Sequence, residues 1–373
     1  MPADPPAGPA RPARRAVRVR PGAPIPADLA GAVLTRDLAV GGVPWAKGRV
    51  LDADDLAALA RGPVLARGAW AGAGRDPGTI TLLLPGPDDL HEDAAATRLA
   101  DAVAGPGVVA RPPAESRIDL RARVAGVLRV RTGALARIAA IDGLSVFTAF
   151  DGQVVEADAL VASVKTGPHL VPAADVARAC AHARAGGRPV VDVRPFRPQP
   201  IAAVVRESVA PADRARFAAG LATRVAALGC TFTGVTDLPD APAAIAATLR
   251  ALLRGPGRPR VLLAAGAAST DPDDPLVRAI ALLGGRITSH GVPAHPGSML
   301  LVARVPGATL LGLPTCGAYS RATAADLLLP WLVAGDPPSR ATVARLAHGG
   351  ILGRDQRFRF PALARATDPE PAG

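Results

Sequence analysis

Three short loops in the C-terminal third concentrate the residues able to hold an anion. Gly266-Ala267-Ala268-Ser269-Thr270-Asp271 offers close backbone approach, two hydroxyls and a carboxylate. His295-Pro296-Gly297-Ser298 offers an imidazole, a glycine and a hydroxyl, and Leu313-Pro314 through Ser320-Arg321 a hydroxyl beside a guanidinium. Small residues let an anion reach backbone N–H groups, hydroxyls donate to it, and a guanidinium pairs with it in a planar fork. Asp274, close behind Asp271 and Asp273, adds carboxylate oxygens of the kind Mg²⁺ takes. Each residue also has an ordinary reading. Ser269 and Thr270 suit capping, Asp274 suits the N-cap of a helix, His295 suits a surface loop, and Cys316 suits a small buried position. No Ser–His–Asp arrangement is readable, and Gly266-Ala267-Ala268-Ser269 is not a dinucleotide-binding glycine pattern.

Elements must carry these loops to one place. Val261–Ala265 is an apolar run stopped by Gly266, the pattern of a buried parallel strand. The spacing predicts a helix over 276–283 that ends at Gly284-Gly285. Strand, polar turn and helix in that order aim backbone N–H groups and a helix N-terminus at an anion. Strands are expected at 201–205, 230–235, 300–305 and 309–312, and helices at 211–228, 241–253 and 322–333. Phe217, Leu221 and Val225, four apart, mark one helix face, and Pro211 suits its first position. This rhythm predicts an α/β fold, a three-layer mostly parallel sheet with helices on both faces. Ligands of such sheets bind beyond the carboxyl ends of the strands. Arg206, Asp237, Ser269 and Leu313-Pro314 lie just past strand ends and are predicted to converge on one rim.

These loops resemble the molybdopterin-binding domain shared by molybdopterin adenylyltransferases and molybdotransferases. Family members have a Gly-Gly-x-Ser/Thr turn after a strand, then an Asp opening the next helix. Gly266-Ala267-Ala268-Ser269 and Asp274 match, with Ala267 where a second glycine is usual. A Pro-Gly loop matches His295-Pro296-Gly297-Ser298, and a Leu-Pro loop ending in Ser matches Leu313-Pro314 to Ser320. Glu92-Asp93, Gly126 and Val164-Lys165 match the N-terminal half of larger members more loosely. The resemblance implies a protein of molybdenum cofactor biosynthesis that binds molybdopterin, an anionic pterin. One implied activity is a transferase inserting molybdate into adenylylated molybdopterin with magnesium. There Asp274 would be catalytic and hold the metal or the pterin, while Gly266, Ser269, Thr270, Asp271, His295, Gly297, Ser298, Pro314, Ser320 and Arg321 would bind the cofactor. The second implied role is a non-catalytic carrier that delivers molybdenum cofactor to a molybdenum hydroxylase client. Ala267 favours it, and a homo-oligomer with composite sites fits either role. A related domain acting on another nucleotide or on pyrophosphate is a third reading.

The earlier chain reads as shorter, mixed elements. Asp52 should cap a helix over 54–61, strands are expected at 64–67 and 79–84, and a helix spans 89–105 with Ala94, Leu99 and Val103 on one face. Strands at 127–130, 144–149 and 154–164, a helix over 132–140, a helix over 175–185 and a strand at 190–193 follow. The closely spaced prolines of 194–200 mark the linker. The expected division is a basic tail at 1–20, an N-terminal α+β module at 21–107, a mixed α+β region at 108–197, the α/β domain at 198–337 and an extension at 338–373.

Composition narrows the classes. At 373 residues the chain is long enough for two or three domains with substantial cores. A net charge of +11 suits an anionic partner. Aromatic content of 3% with no basic–aromatic interleaving argues against a single-strand nucleic-acid surface. Lys47 and Lys165 are the only lysines, so the basic charge is arginine, the coding bias of a GC-rich bacterium. Cys180, Cys230 and Cys316 lie far apart with no CxxC, which indicates neither zinc nor a disulfide framework and fits a reducing cytoplasm. No apolar run is long enough to span a membrane, and the N-terminus has no apolar signal core.

Overall fold

The computed structural model describes residues 15–67, 74–114, 116–206, 211–266, 271, 273–313, 322–362 and 364, with backbone alone for 211–213, 354, 355 and 357. The chain is a mixed α/β protein. Its C-terminal part is built on a six-stranded sheet of β1 (Pro200–Val205), β2 (Thr231–Asp237), β3 (Val261–Ala265), β4 (Arg286–His290), β5 (Leu301–Val305) and β6 (Ala308–Leu313). The strand order is β2-β1-β3-β6-β5-β4.

The expectation of a mostly parallel sheet needs correction. β2, β1, β3 and β6 are parallel neighbours, but β5 runs antiparallel to β6 and β4 antiparallel to β5. Gly307, at φ +87°, lets the chain reverse tightly between β5 and β6 in a hairpin. Elsewhere in the chain the named strand pairs are antiparallel.

Alternate residues of the central strands point to opposite faces. Ile201, Ala203, Val205, Leu263 and Leu311 face a buried cluster with Phe217, Leu221 and Val225 of helix α1 (Pro211–Ala226). Ala202, Val204, Leu262 and Leu310 face a second cluster with Ile245 and Leu249 of α2 (Pro242–Leu252) and Leu276 and Ile280 of α3 (Pro275–Leu282). β3 sits between two parallel neighbours and is buried at all five positions, which is why it reads as an unbroken apolar run. Helix α4 (Ala324–Val333) joins the first cluster and is buried around its whole circumference. An apolar helix of that kind belongs inside a protein.

The earlier residues bury into two further clusters. One gathers residues between Val19 and Leu82, the other residues between Ala95 and Val193. Asp52 caps its helix as expected, with Asp55 N donating to its side chain at 2.8 Å, and the Asp55 side chain completes a capping box. Helix Glu92–Val103 packs into the second cluster through Ala95, Ala96, Leu99, Ala100 and Val103, while Ala94 is exposed. The side chain of Trp331 reaches out of α4 to meet this region. Arg129 stacks over its ring at 4.3 Å, and a Cβ at Gly152 would come within 3.0 Å of the indole.

Candidate anion-binding rim

Register brings the chemistry to one edge. Val205 pairs with Asp237 and with Ala265, and Ala265 pairs with Leu313. The carboxyl ends of all four parallel strands therefore line up. Because β5 is antiparallel to β6 and pairs Val302 with Leu311, its first residues reach the same edge. His290, the last residue of β4, pairs with Leu301, so the loop between β4 and β5 belongs to this rim as well. That loop carries His295, Gly297 and Ser298.

Arg206 leaves β1 with its N–H bonded to Ala265 O at 3.2 Å, which continues the ladder by one residue. Its guanidinium donates from Nη2 to Asp274 Oδ2 at 2.8 Å, and its Nε is buried without a hydrogen-bond partner among the described residues. Asp237, at the end of β2, is paired by Arg214 of α1. Gly266 has φ +77°, a left-handed conformation that favours glycine where β3 turns out of the sheet. Asp271 is exposed, and its carboxylate accepts from Asp273 N at 2.9 Å.

Asp274 is almost completely buried, at 1% exposure. Its Oδ1 accepts from Leu276 N at 2.8 Å and caps α3, while Oδ2 takes Arg206. The carboxylate stabilises the positive end of the helix, and Arg206 balances its charge. This arrangement bears on the anion and metal roles expected here. The N-terminus of α3 is already met by a carboxylate of its own chain and does not face outward as an anion site. Each Asp274 oxygen already accepts one hydrogen bond, so any magnesium ion would have to share the carboxylate with Arg206 and the helix cap. Among the described residues no three or more His, Cys, Asp or Glu gather as a metal site.

The β4–β5 loop is pinned against α4. Ala324 N donates to Pro296 O at 2.9 Å, and Gly297 has φ +109° with space for no Cβ, since one would lie 2.8 Å from Ala324 N. Thr323 caps α4 in a capping box with Asp326. Asp326 is held from below by Arg224 Nε at 3.0 Å, and burial pushes its carboxyl above the ordinary range against the pull of Arg224. His295 is exposed, yet its backbone is fixed by Gly350 O and Leu352 N, each at 2.7 Å. Ser298 is half-buried and its hydroxyl has no partner among the described residues.

Gly266, Asp271, Asp274, His295, Gly297 and Ser298 thus share the rim. Ser269, Thr270, Pro314, Ser320 and Arg321 lie outside the described residues. Cys316 does too, whereas Cys180 and Cys230 are buried with their thiols pushed up by burial. Sequence reasoning placed Arg206 past a strand end but did not foresee its pairing with Asp274. Two distant partners carry no shared motif. It also missed Glu92 as a buried group: Glu92 Oε2 lies 2.9 Å from His169 Nδ1 and is only 5% exposed. The two are far apart in sequence, so no local spacing announces them.

Parallel strands ending on one edge, with helices packed on both faces, define an α/β domain; ligands of such sheets generally bind beyond the carboxyl ends of the strands. Residues 207–334 match the family described as a probable molybdopterin binding domain. No curated protein matches the chain. Among solved structures, the molybdopterin biosynthesis MoeA protein from Pyrococcus horikosii is 15% identical, covering 66% of this chain and 80% of that one with a TM-score of 0.28. A NadC deletion mutant is 12% identical, covering 51% and 78% with a TM-score of 0.15. Superpositions that loose carry neither fold nor function to this chain. No helix among the described residues is long and apolar enough to cross a membrane.

Proposed function

We propose that the rim binds molybdopterin or its nucleotide form through its negatively charged groups. One observation carries the reading: the segment that matches the molybdopterin-binding family ends its parallel strands, and begins β5, on a single edge lined by Gly266, Gly297 and Ser298. In this reading the Ser298 hydroxyl and the backbone at Gly266 and Gly297 receive the phosphate. Arg206, oriented by Asp274, supplies positive charge. Ser269, Thr270, Pro314, Ser320 and Arg321 join from the two remaining loops, with Asp271 and His295 at the outer margin. Asp274 acts as a positioning residue, and no step is assigned to magnesium.

The chain then works either as a molybdotransferase-like enzyme or as a carrier for a molybdenum hydroxylase. Ala267, in place of a second glycine, and the commitment of Asp274 to Arg206 favour the carrier. AMP release from adenylylated molybdopterin, with molybdate and magnesium supplied, separates the two. Turnover establishes the transferase, and tight binding without AMP release establishes the carrier. We also propose that 198–337 is the cofactor-binding unit, that the residues before it form two units whose boundary falls before Glu92–Val103 and not at 107, since that helix packs with residues up to Val193, and that the protein acts in a bacterial cytoplasm. A panel comparing molybdopterin with nucleotides and pyrophosphate tests the ligand class; no preference for the pterin rejects both roles.

A further inference from the structure

At the other end of the sheet lies a second cationic place. Arg304 pairs with Thr309 at the end of the β5–β6 hairpin away from Leu313, and both line a cavity that includes Ser339. Ser339 also lines a neighbouring cavity of about 360 Å³. This one opens between the antiparallel strands Gly126–Val130 and Val191–Pro195 and the residues that follow α4. Arg129, Arg131, Arg188 and Arg345 reach its wall, opposed on the wall by the single carboxylate of Asp192.

The charges do not balance. Arg129 is paired by Asp336, Arg345 by Asp151 at 3.2 Å, and Asp192 by Arg194 at 2.8 Å. Arg131 donates one N–H each to the carbonyls of Ala183, Ala185 and Pro189, which leaves two of its five N–H groups for a ligand, and no carboxylate pairs with it among the described residues. Arg188 is exposed and has no ion pair among the described residues. Burial pushes the Arg131 guanidinium below its ordinary range, and the charges of Arg137 and Arg188 push the same way. A second observation is independent of charge counting. Arg129 Nε is buried and lacks a hydrogen-bond partner among the described residues, on a side chain only 10% exposed. Such a donor is costly to leave unmade. Beside it, the Ser339 and Thr342 hydroxyls lie 3.0 Å apart, so the one that accepts keeps its own proton for a ligand.

We propose that this cavity is a second binding site, taking a compact phosphate-bearing anion between Arg131, Arg188 and Arg129. Its volume falls in the range of small-ligand pockets. Its lining carries no aromatic ring for base stacking, which favours a small metabolite over a nucleic acid. The site is separate from the rim and does not depend on the rim's ligand.

Calorimetric titration of the full chain with inorganic pyrophosphate at low salt tests it. Arg188 is exposed and makes no ion pair among the described residues, so its replacement is expected to leave the fold intact. Arg188→Glu is expected to weaken binding by about tenfold or more, and Arg188→Lys to stay within about threefold of the original. Arg250→Glu, the same charge change at an exposed position of α2, is expected to leave affinity unchanged. Absence of binding, or equal losses for Arg188→Glu and Arg250→Glu, overturns the proposal. So does a short single-stranded RNA that binds without competition from pyrophosphate.

Discussion

Replacing Arg206 should cost more stability than replacing the acid it holds. Asp274 is 1% exposed, while the Arg206 side chain is 23% exposed, and the two meet at 2.8 Å. Removing one partner of a buried pair costs roughly 3–5 kcal/mol, because the remaining charge stays out of water. Water reaches the Arg206 side, which screens part of that loss, so Arg206→Met is expected to cost about 2–3 kcal/mol. Asp274→Asn is milder. The amide still caps α3, and Arg206 turns to solvent, so about 1 kcal/mol is expected. In Arg206→Met/Asp274→Asn the buried charge is gone, and the double variant should be less unstable than Arg206→Met alone, with a coupling of about 1–2 kcal/mol. Urea unfolding of the three variants and the original protein measures all of these terms. If Asp274 served chiefly as a metal ligand, Asp274→Asn would leave the metal-free protein as stable as before and Arg206→Met would show no coupling to it. That result would falsify the positioning role argued for Asp274.

Three further outcomes follow from the same physics. Gly297→Ala places a Cβ 2.8 Å from Ala324 N at a positive φ; strain and overpacking together should cost ~2–4 kcal/mol in unfolding free energy, with a larger loss of pterin binding than Ser298→Ala. In a Cys316→Ser background, Cys180 and Cys230 should resist a thiol reagent until the protein unfolds, since both are buried with raised thiol pKa values; fast labelling of either would contradict their packing. Burial is the largest influence on the Asp192 carboxyl and raises its pKa despite Arg194, Arg129 and Arg188. The folded state therefore binds the proton more readily than the unfolded chain. The stability this group contributes is full below its unfolded pKa and is lost as pH rises through the raised folded value. Asp192→Asn should narrow that acid-to-neutral decline, and an unchanged slope of stability against pH would count against the buried carboxyl as its source.

The sequence made the parallel half of the C-terminal sheet legible because burial on both faces leaves continuous apolar runs. Val261–Ala265 and its stop at Gly266 are the clearest case, and the rim follows from where such strands end. Arg286–His290 was not legible: an edge strand of Arg-Ile-Thr-Ser-His carries no apolar run, and pairing with β5 defines it more than composition does. Arg117–Ala122 was missed for a related reason, since its Arg-Ile-Asp-Leu-Arg-Ala alternation is weak beside the charges that flank it. The Pro-Gly turn was readable as a place of close approach, but that the approach is to Ala324 of α4 depends on tertiary packing. Asp274 shows the deeper limit. Its position before a helix announced a cap, while the partner that decides its chemistry, Arg206, lies on another strand. Arg129, Asp192 and Ser339 likewise meet only after three separate segments have packed.

The central claim is that the edge formed by β1, β2, β3, β6 and the start of β5 holds a pterin. The direct measurement is oxidative extraction and fluorescence of the pterin retained by the purified full chain after loading with molybdopterin, compared with two variants. Ser298→Arg fills the rim, and Thr97→Arg makes the same change on the exposed surface of Glu92–Val103. The account predicts stoichiometric pterin on the original protein and on Thr97→Arg, and almost none on Ser298→Arg. Equal retention by all three proteins, or none by the original, would contradict it.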